Sequence, residues 1–181
     1  MKSKSQVVSV RDMVFTALFA AVLCVAAPFS IAIGPIPLSF ATLVIYLASA
    51  SLGWKRAMIA VMVYVAVGAV GIPVFSNFTG GFQMLAGVTG GFFTGYILCA
   101  FTVGFITDYF HGKILRYVFG MVLGTILLYT CGTVWFSILT GTPVMASLAI
   151  CVTPFLIGDT IKIIVACIAA PKLRKALESY G

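Results

Sequence analysis

Three stretches of this chain, 13–54, 57–107 and 117–158, contain no Lys, Arg, Asp or Glu. A fold surrounded by water carries charge throughout, at roughly 25% of positions; here charged residues make up 8% of 181. Soluble domains of this length bury only about 70% of their unfolded surface. With 62% hydrophobic residues and a mean hydropathy of +1.18, much of this chain would lie bare in water. Hydrocarbon removes that penalty, so the charge-free runs predict a polytopic membrane protein.

Six apolar segments are predicted, at approximately 13–30, 36–53, 57–70, 88–107, 114–139 and 144–170. Each is near the ~20 residues that cross a bilayer, the third only if it runs on through Phe75. Pro28, Gly34-Pro35-Ile36-Pro37, Gly71-Ile72-Pro73 and Gly141-Thr142-Pro143 mark the boundaries. The fold class is therefore all-α, a single membrane domain over residues 1–181 without linker or low-complexity tract. Lys2, Lys4 and Arg11 precede the first apolar run as they would in a signal peptide. That run is too long for a signal h-region, its best cleavage site falls at Pro28, and further spans follow, so it reads as the first transmembrane helix.

The basic residues fix an orientation. Lys2, Lys4 and Arg11 precede segment one, Lys55 and Arg56 separate two from three, Lys113 and Arg116 separate four from five, and Lys172, Arg174 and Lys175 follow six. The other three connections hold no Lys or Arg. Cytoplasmic loops are the basic ones, so both termini are expected in the cytoplasm.

Of eleven Lys and Arg, ten fall between segments or at a segment end and only Lys162 lies deep inside one, with Asp159 three residues before it. Residues i and i+3 share a helix face. Each charge would cost about 3 kcal/mol at a helix centre, which marks the pair as a candidate binding site, with a structural ion pair as the alternative. Asp108 falls at a helix end among the other charges and needs no special role. The connection 71–83 is apolar and aromatic although it joins two spans. Such a loop suits a cover over a cavity, with Asn77 and Gln83 offering donors and acceptors, or a tight connection packed on helix ends.

Small residues recur at four-residue spacing. Gly87, Gly91 and Gly95 form one strip, Gly120 and Gly124 another, and Ala17 and Ala21 a third. Such strips allow close helix approach. Thr89-Gly90-Gly91 would also offer free N–H groups to an anion if it opens a helix.

Other function classes find little support. There is no Ser-His-Asp set, His-Glu-x-x-His or phosphate loop, and His111 has no metal partner in sequence. Cys24, Cys99, Cys131, Cys151 and Cys167 show no Cys-x-x-Cys spacing and read as apolar packing residues. Despite a net charge of +7, the basic residues form separated clusters and not the continuous stripe a nucleic acid needs. One acid, one amine and amides fit the binding of a small polar solute better than bond breaking.

Taken in order, Ala17-xxx-Ala21, Gly71-Ile72-Pro73-Val74-Phe75 with Gly80-Gly81, Thr89-Gly90-Gly91-Phe92 and Asp159-xx-Lys162 resemble the BioY family. These are the biotin-specific S components of bacterial energy-coupling factor (ECF) transporters, and the resemblance spans essentially the whole chain. Val88 stands where that family often has proline, and Asn77 where a small residue is common. The resemblance implies a multi-pass protein of the bacterial cell membrane that binds biotin with high affinity. Asp159, Lys162, Asn77, Phe75, Gln83, Thr89, Gly90, Gly91 and Tyr96 are the implied substrate-binding residues. It further implies a transmembrane coupling subunit docking at Ala17 and Ala21, and two ATPase subunits that use the ATP, with no cofactor, metal or catalytic residue in this chain. Other readings are an S component for another vitamin, a structural or assembly membrane protein, and an intramembrane enzyme.

Overall fold

The structure, a computed structural model, describes residues 10–33, 35–110 and 114–179. Lys2, Lys4, His111 and Lys113 lie outside the described residues. The chain is mostly helical: α1 (Val10–Ala26), α2 (Ala41–Leu52), α3 (Trp54–Ala69), α4 (Phe82–Ala86), α5 (Gly90–Tyr109), α6 (Leu115–Thr140), α7 (Val144–Cys151) and α8 (Leu156–Ser179). Two strands, β1 (Ser30–Ile33) and β2 (Ile36–Ser39), pair antiparallel between α1 and α2, with Ser30 opposite Ser39 and Ile33 opposite Ile36. Three stretches, Gly90–Tyr109, Leu115–Thr140 and Val144–Leu177, are long and apolar enough to cross a membrane.

The second and sixth apolar segments differ from expectation. The run that starts at Ile36 does not open as a helix: Ile36–Ser39 is the second strand of the hairpin, and α2 begins only at Ala41. Pro35 and Pro37 disfavour helix at the residues before them, and Pro37 cannot donate to one. The segment 144–170 is interrupted by a 3₁₀ turn at Thr153–Phe155 carrying Pro154, which separates α7 from α8. The connection 71–83 is also not plain coil. It holds a 3₁₀ turn at Ser76–Phe78, a bridge between Phe75 and Thr79, and the start of α4.

Glycines set the tightest packing. A Cβ on Gly91 would run into Cys131 and Trp135, one on Gly95 into Leu128, and one on Gly124 into Cys99 and Val103. The small-residue strips of α5 and α6 therefore face each other and let two long helices lie close. Between the others runs α2, with ten of its residues buried. Facing outward are apolar side chains instead of charges: Leu115, Ile138, Met145 and Ile157 are each more than three-quarters exposed.

Apart from Asp159 and Lys162, the charges among the described residues gather at one end. Arg56 pairs with Asp12 at 3.0 Å, and Arg174 with Asp108 at 3.1 Å. Asp108 Oδ2 also accepts the Trp54 N–H at 3.3 Å, at the start of α3. These contacts tie the starts of α1 and α3 to the ends of α5 and α8. Gly53, the single residue between α2 and α3, has φ +81°, a left-handed value that favours glycine.

Candidate functional site

At the opposite end, Asp159 and Lys162 lie one turn apart on α8 and face inward. They are 4% and 8% exposed, so each must find partners within the protein. Lys162 Nζ donates to Asp159 Oδ1 at 2.7 Å, to the Ser39 carbonyl at 2.7 Å and to Thr42 Oγ1 at 2.9 Å. Those three bonds use every proton of the ammonium. Asp159 in turn accepts from Thr42 Oγ1 at 3.2 Å on Oδ1 and from the Tyr129 hydroxyl at 2.6 Å on Oδ2. The network joins the end of the hairpin, the first turn of α2, the middle of α6 and α8.

This network forms part of the wall of a cavity of about 280 Å³. The volume lies just below the ~300–1,000 Å³ usual for small-molecule sites. Ile36, Leu38, Leu128, Phe92, Phe93 and Phe155 contribute apolar wall, while Tyr96 and Thr89 add hydroxyls. The site is therefore amphipathic: a charged but internally neutral pair in one wall, and greasy surface around it.

The connection after α3 closes another side of the cavity. Phe75 is 1% exposed, its ring 4.4 Å from that of Phe93 and 5.6 Å from that of Tyr64. Gly68 leaves the space that the Phe75 ring occupies. Beyond it, Asn77 and Phe78 both adopt positive φ, 58° and 56°, unusual for residues with a Cβ. Asn77 is held there by the hairpin: Ser30 Oγ donates to Asn77 Oδ1 at 2.9 Å and accepts the Asn77 N–H at 2.9 Å. Hairpin and connection thus clasp each other over the cavity.

Of the residues expected at a binding site, Asp159, Lys162, Asn77, Phe75, Thr89 and Tyr96 line this one cavity. Gln83, Gly90 and Gly91 are not among its lining residues. The Gln83 amide donates to the nearby Gly80 carbonyl at 3.1 Å, and Gly90 and Gly91 sit against Leu85, Trp135 and Cys131. Ser39, Thr42 and Tyr129 complete the charged network, yet no motif in the sequence singles them out. The available signal was a polar side chain within an otherwise apolar span, which needs an internal partner. Ala17 and Ala21 are both exposed on the outward face of α1 beside Leu18 and Val22, so that strip is open for another helix.

The BioY family model matches residues 1–179. The biotin transporter BioY of Thermotoga maritima is 33% identical over 165 residues, covering 91% of this chain and 96% of that protein. The biotin transporter BioY of Rhizobium etli is 31% identical over 175 residues, with 88% and 91% covered. Among solved structures, the S-component for biotin from an ECF-type ABC transporter superposes with a TM-score of 0.84 at 25% identity, covering 97% of this chain and 95% of that one. The chain belongs to the BioY family.

Proposed function

We propose that this BioY-family member binds biotin in the cavity beside Asp159 and Lys162 and serves as the substrate-specific membrane subunit of an ECF-type transporter. The observation that carries the reading is the pairing of a buried, hydrogen-bonded Asp159–Lys162 pair with apolar walls in one cavity, in a chain akin to proteins named biotin transporters. Biotin's ureido ring has two N–H donors and a carbonyl acceptor: Asp159 has acceptor capacity left for an N–H, and Lys162 donates to the carbonyl when the ligand takes the place of one of its three internal acceptors, such as Thr42 Oγ1. The pair is neutral overall, so a carboxylate beside it would gain little and would face Asp159. The ureido ring therefore belongs at the pair, and the valeryl chain runs past Phe75, Phe93 and Tyr96. Asn77 and Thr89 then remain for the ligand's far end. Gly90 and Gly91 act behind the wall by holding α5 to α6.

Six crossings fit this arrangement as one membrane domain: α1, α2 with the hairpin, α3, α5, α6 and α8. The cavity-side connections 27–40, 70–89 and 141–155 carry no charge, whereas Arg11, Lys55, Arg56, Arg116, Lys172, Arg174 and Lys175 belong to the other end. By the positive-inside rule that end is cytoplasmic, with both termini, and the cavity faces the outside of the bacterial membrane. ATP hydrolysis falls to two ATPase subunits. The transmembrane coupling subunit packs a helix against the exposed Ala17–Ala21 strip.

The test is ligand specificity. At a hundredfold excess over its dissociation constant, biotin stabilises the folded protein by about 2.7 kcal/mol, read as a rise in thermal midpoint. Riboflavin and thiamine leave the midpoint in place. A shift with another vitamin and none with biotin rejects the substrate and keeps the family. Mass spectrometry of ligand released from the purified protein gives an independent reading.

A further inference from the structure

At the charged end, the start of α6 and the last turns of α8 enclose a recess lined by Arg116, Tyr117, Pro171, Lys172, Arg174 and Lys175. Asp108 pairs with Arg174 and neutralises part of this cluster. Arg116 lies along the ring of Tyr117, 4.9 Å from its centroid, and donates to the Tyr117 hydroxyl at 3.1 Å. Its Nε is shut from solvent and has no hydrogen-bond partner among the described residues. The first turn of α6 adds the positive end of a 26-residue helix.

Exposed apolar side chains neighbour the recess in sequence and suit one kind of occupant. Leu115 and Phe119, one turn apart at the start of α6, are 78% and 59% exposed, and Ile168 on α8 is 58% exposed. A water-soluble anion has no use for such flanks. A molecule with an anionic head and hydrocarbon tails satisfies both.

We propose that this recess binds the phosphate of an anionic phospholipid, with Arg116, Lys172 and Lys175 on the head group and the acyl chains along Leu115 and Phe119. The inference rests on the membrane reading above but not on the identity of the transported solute. Basic recesses between helices at the cytoplasmic face have this capacity, each Lys or Arg strengthening attachment by roughly fivefold.

Purified full-length protein in neutral detergent is titrated with phosphatidylglycerol and with phosphatidylcholine of the same chains, and retained lipid is counted by native mass spectrometry. Phosphatidylglycerol is expected to be held more tightly than phosphatidylcholine. Lys172 and Lys175 are exposed, so Lys172→Gln with Lys175→Gln leaves the core intact. It is expected to weaken phosphatidylglycerol by about 25-fold, two cations at about fivefold each, with phosphatidylcholine unchanged. Inorganic phosphate at millimolar concentration fails to compete if the tails contribute. Equal retention of the two lipids, full retention by the double variant, or ready competition by inorganic phosphate overturns the proposal. The biotin-induced midpoint shift, measured on the same samples, separates the two readings. Its absence from the wild type rejects biotin binding, whatever the lipid result.

Discussion

Removing both charges of the Asp159–Lys162 pair separates a ligand-reading role from an architectural one. Lys162→Met deletes the ammonium that Asp159, Thr42 and the Ser39 carbonyl share. Asp159 keeps only two neutral donors, Thr42 and Tyr129, and breaking a buried pair this way costs about 3–5 kcal/mol. Asp159→Asn strands the ammonium with two neutral acceptors and has a similar effect. In the double variant no charge is stranded. Asn still offers an oxygen to Tyr129 or Thr42, and Met fills much the same space as the lysine stem, so most of the lost stability returns. Binding does not return. Two hydrogen bonds to charged groups, at about 1.5–3 kcal/mol each, have no replacement. Biotin affinity is expected to fall by roughly two to four orders of magnitude. Isothermal titration and thermal midpoints for the wild type, both singles and the double decide the matter. A stable double variant that binds biotin within about threefold of wild type, below 1 kcal/mol, would refute the argument.

Two further outcomes follow from the packing. Ala17→Trp is expected to abolish biotin uptake in cells carrying the coupling and ATPase subunits while leaving affinity unchanged, because the strip is exposed and apart from the cavity; joint loss of binding and uptake would assign Ala17 to internal packing. Gly53→Ala forces a Cβ residue to φ +81° and to within 2.5 Å of Asp108 Oδ2. With ψ at 168° this is backbone essentially reserved for glycine, and the strain of about 1–3 kcal/mol lowers the thermal midpoint without altering biotin affinity; an unchanged midpoint would contradict it.

The long apolar helices were legible in the sequence because bilayer cost is local: a charge-free run such as those of α5 and α6 is visible residue by residue. Its glycine strips were legible for the same reason, since Gly91, Gly95 and Gly124 each mark a place where one backbone meets another helix. The hairpin was not. In a chain this apolar, Ile36–Ser39 differs little in hydropathy from the helix that follows, and only the prolines hinted at extended backbone. Asp159 and Lys162 stood out because charge is rare in a span, and their spacing brings them within 2.7 Å. Their partners did not stand out. Tyr129 is 30 positions from Asp159 and Thr42 is 117 away, and folding alone brings a phenol and a hydroxyl to the same carboxylate. Gly90 and Gly91 showed the reverse difficulty, since one glycine pattern serves anion binding and helix packing alike.

The shortness of α2 has a consequence for how the protein is made. Twelve residues rise about 18 Å, well short of a hydrocarbon layer of about 30 Å. A nascent segment of this length, bearing Thr42, Ser49 and Ser51, is a poor candidate to leave the insertion machinery for lipid by itself. One residue links it to α3, so the two are expected to insert as a single hairpin of helices. The carboxylate and amine that satisfy Thr42 and the Ser39 carbonyl are synthesised more than a hundred residues later. Until α8 arrives, the cavity end of α2 waits with its polar groups unmet. The ligand cavity is thus the last part of the molecule to be completed, and a chain released before residue 159 would leave the hairpin open to protease.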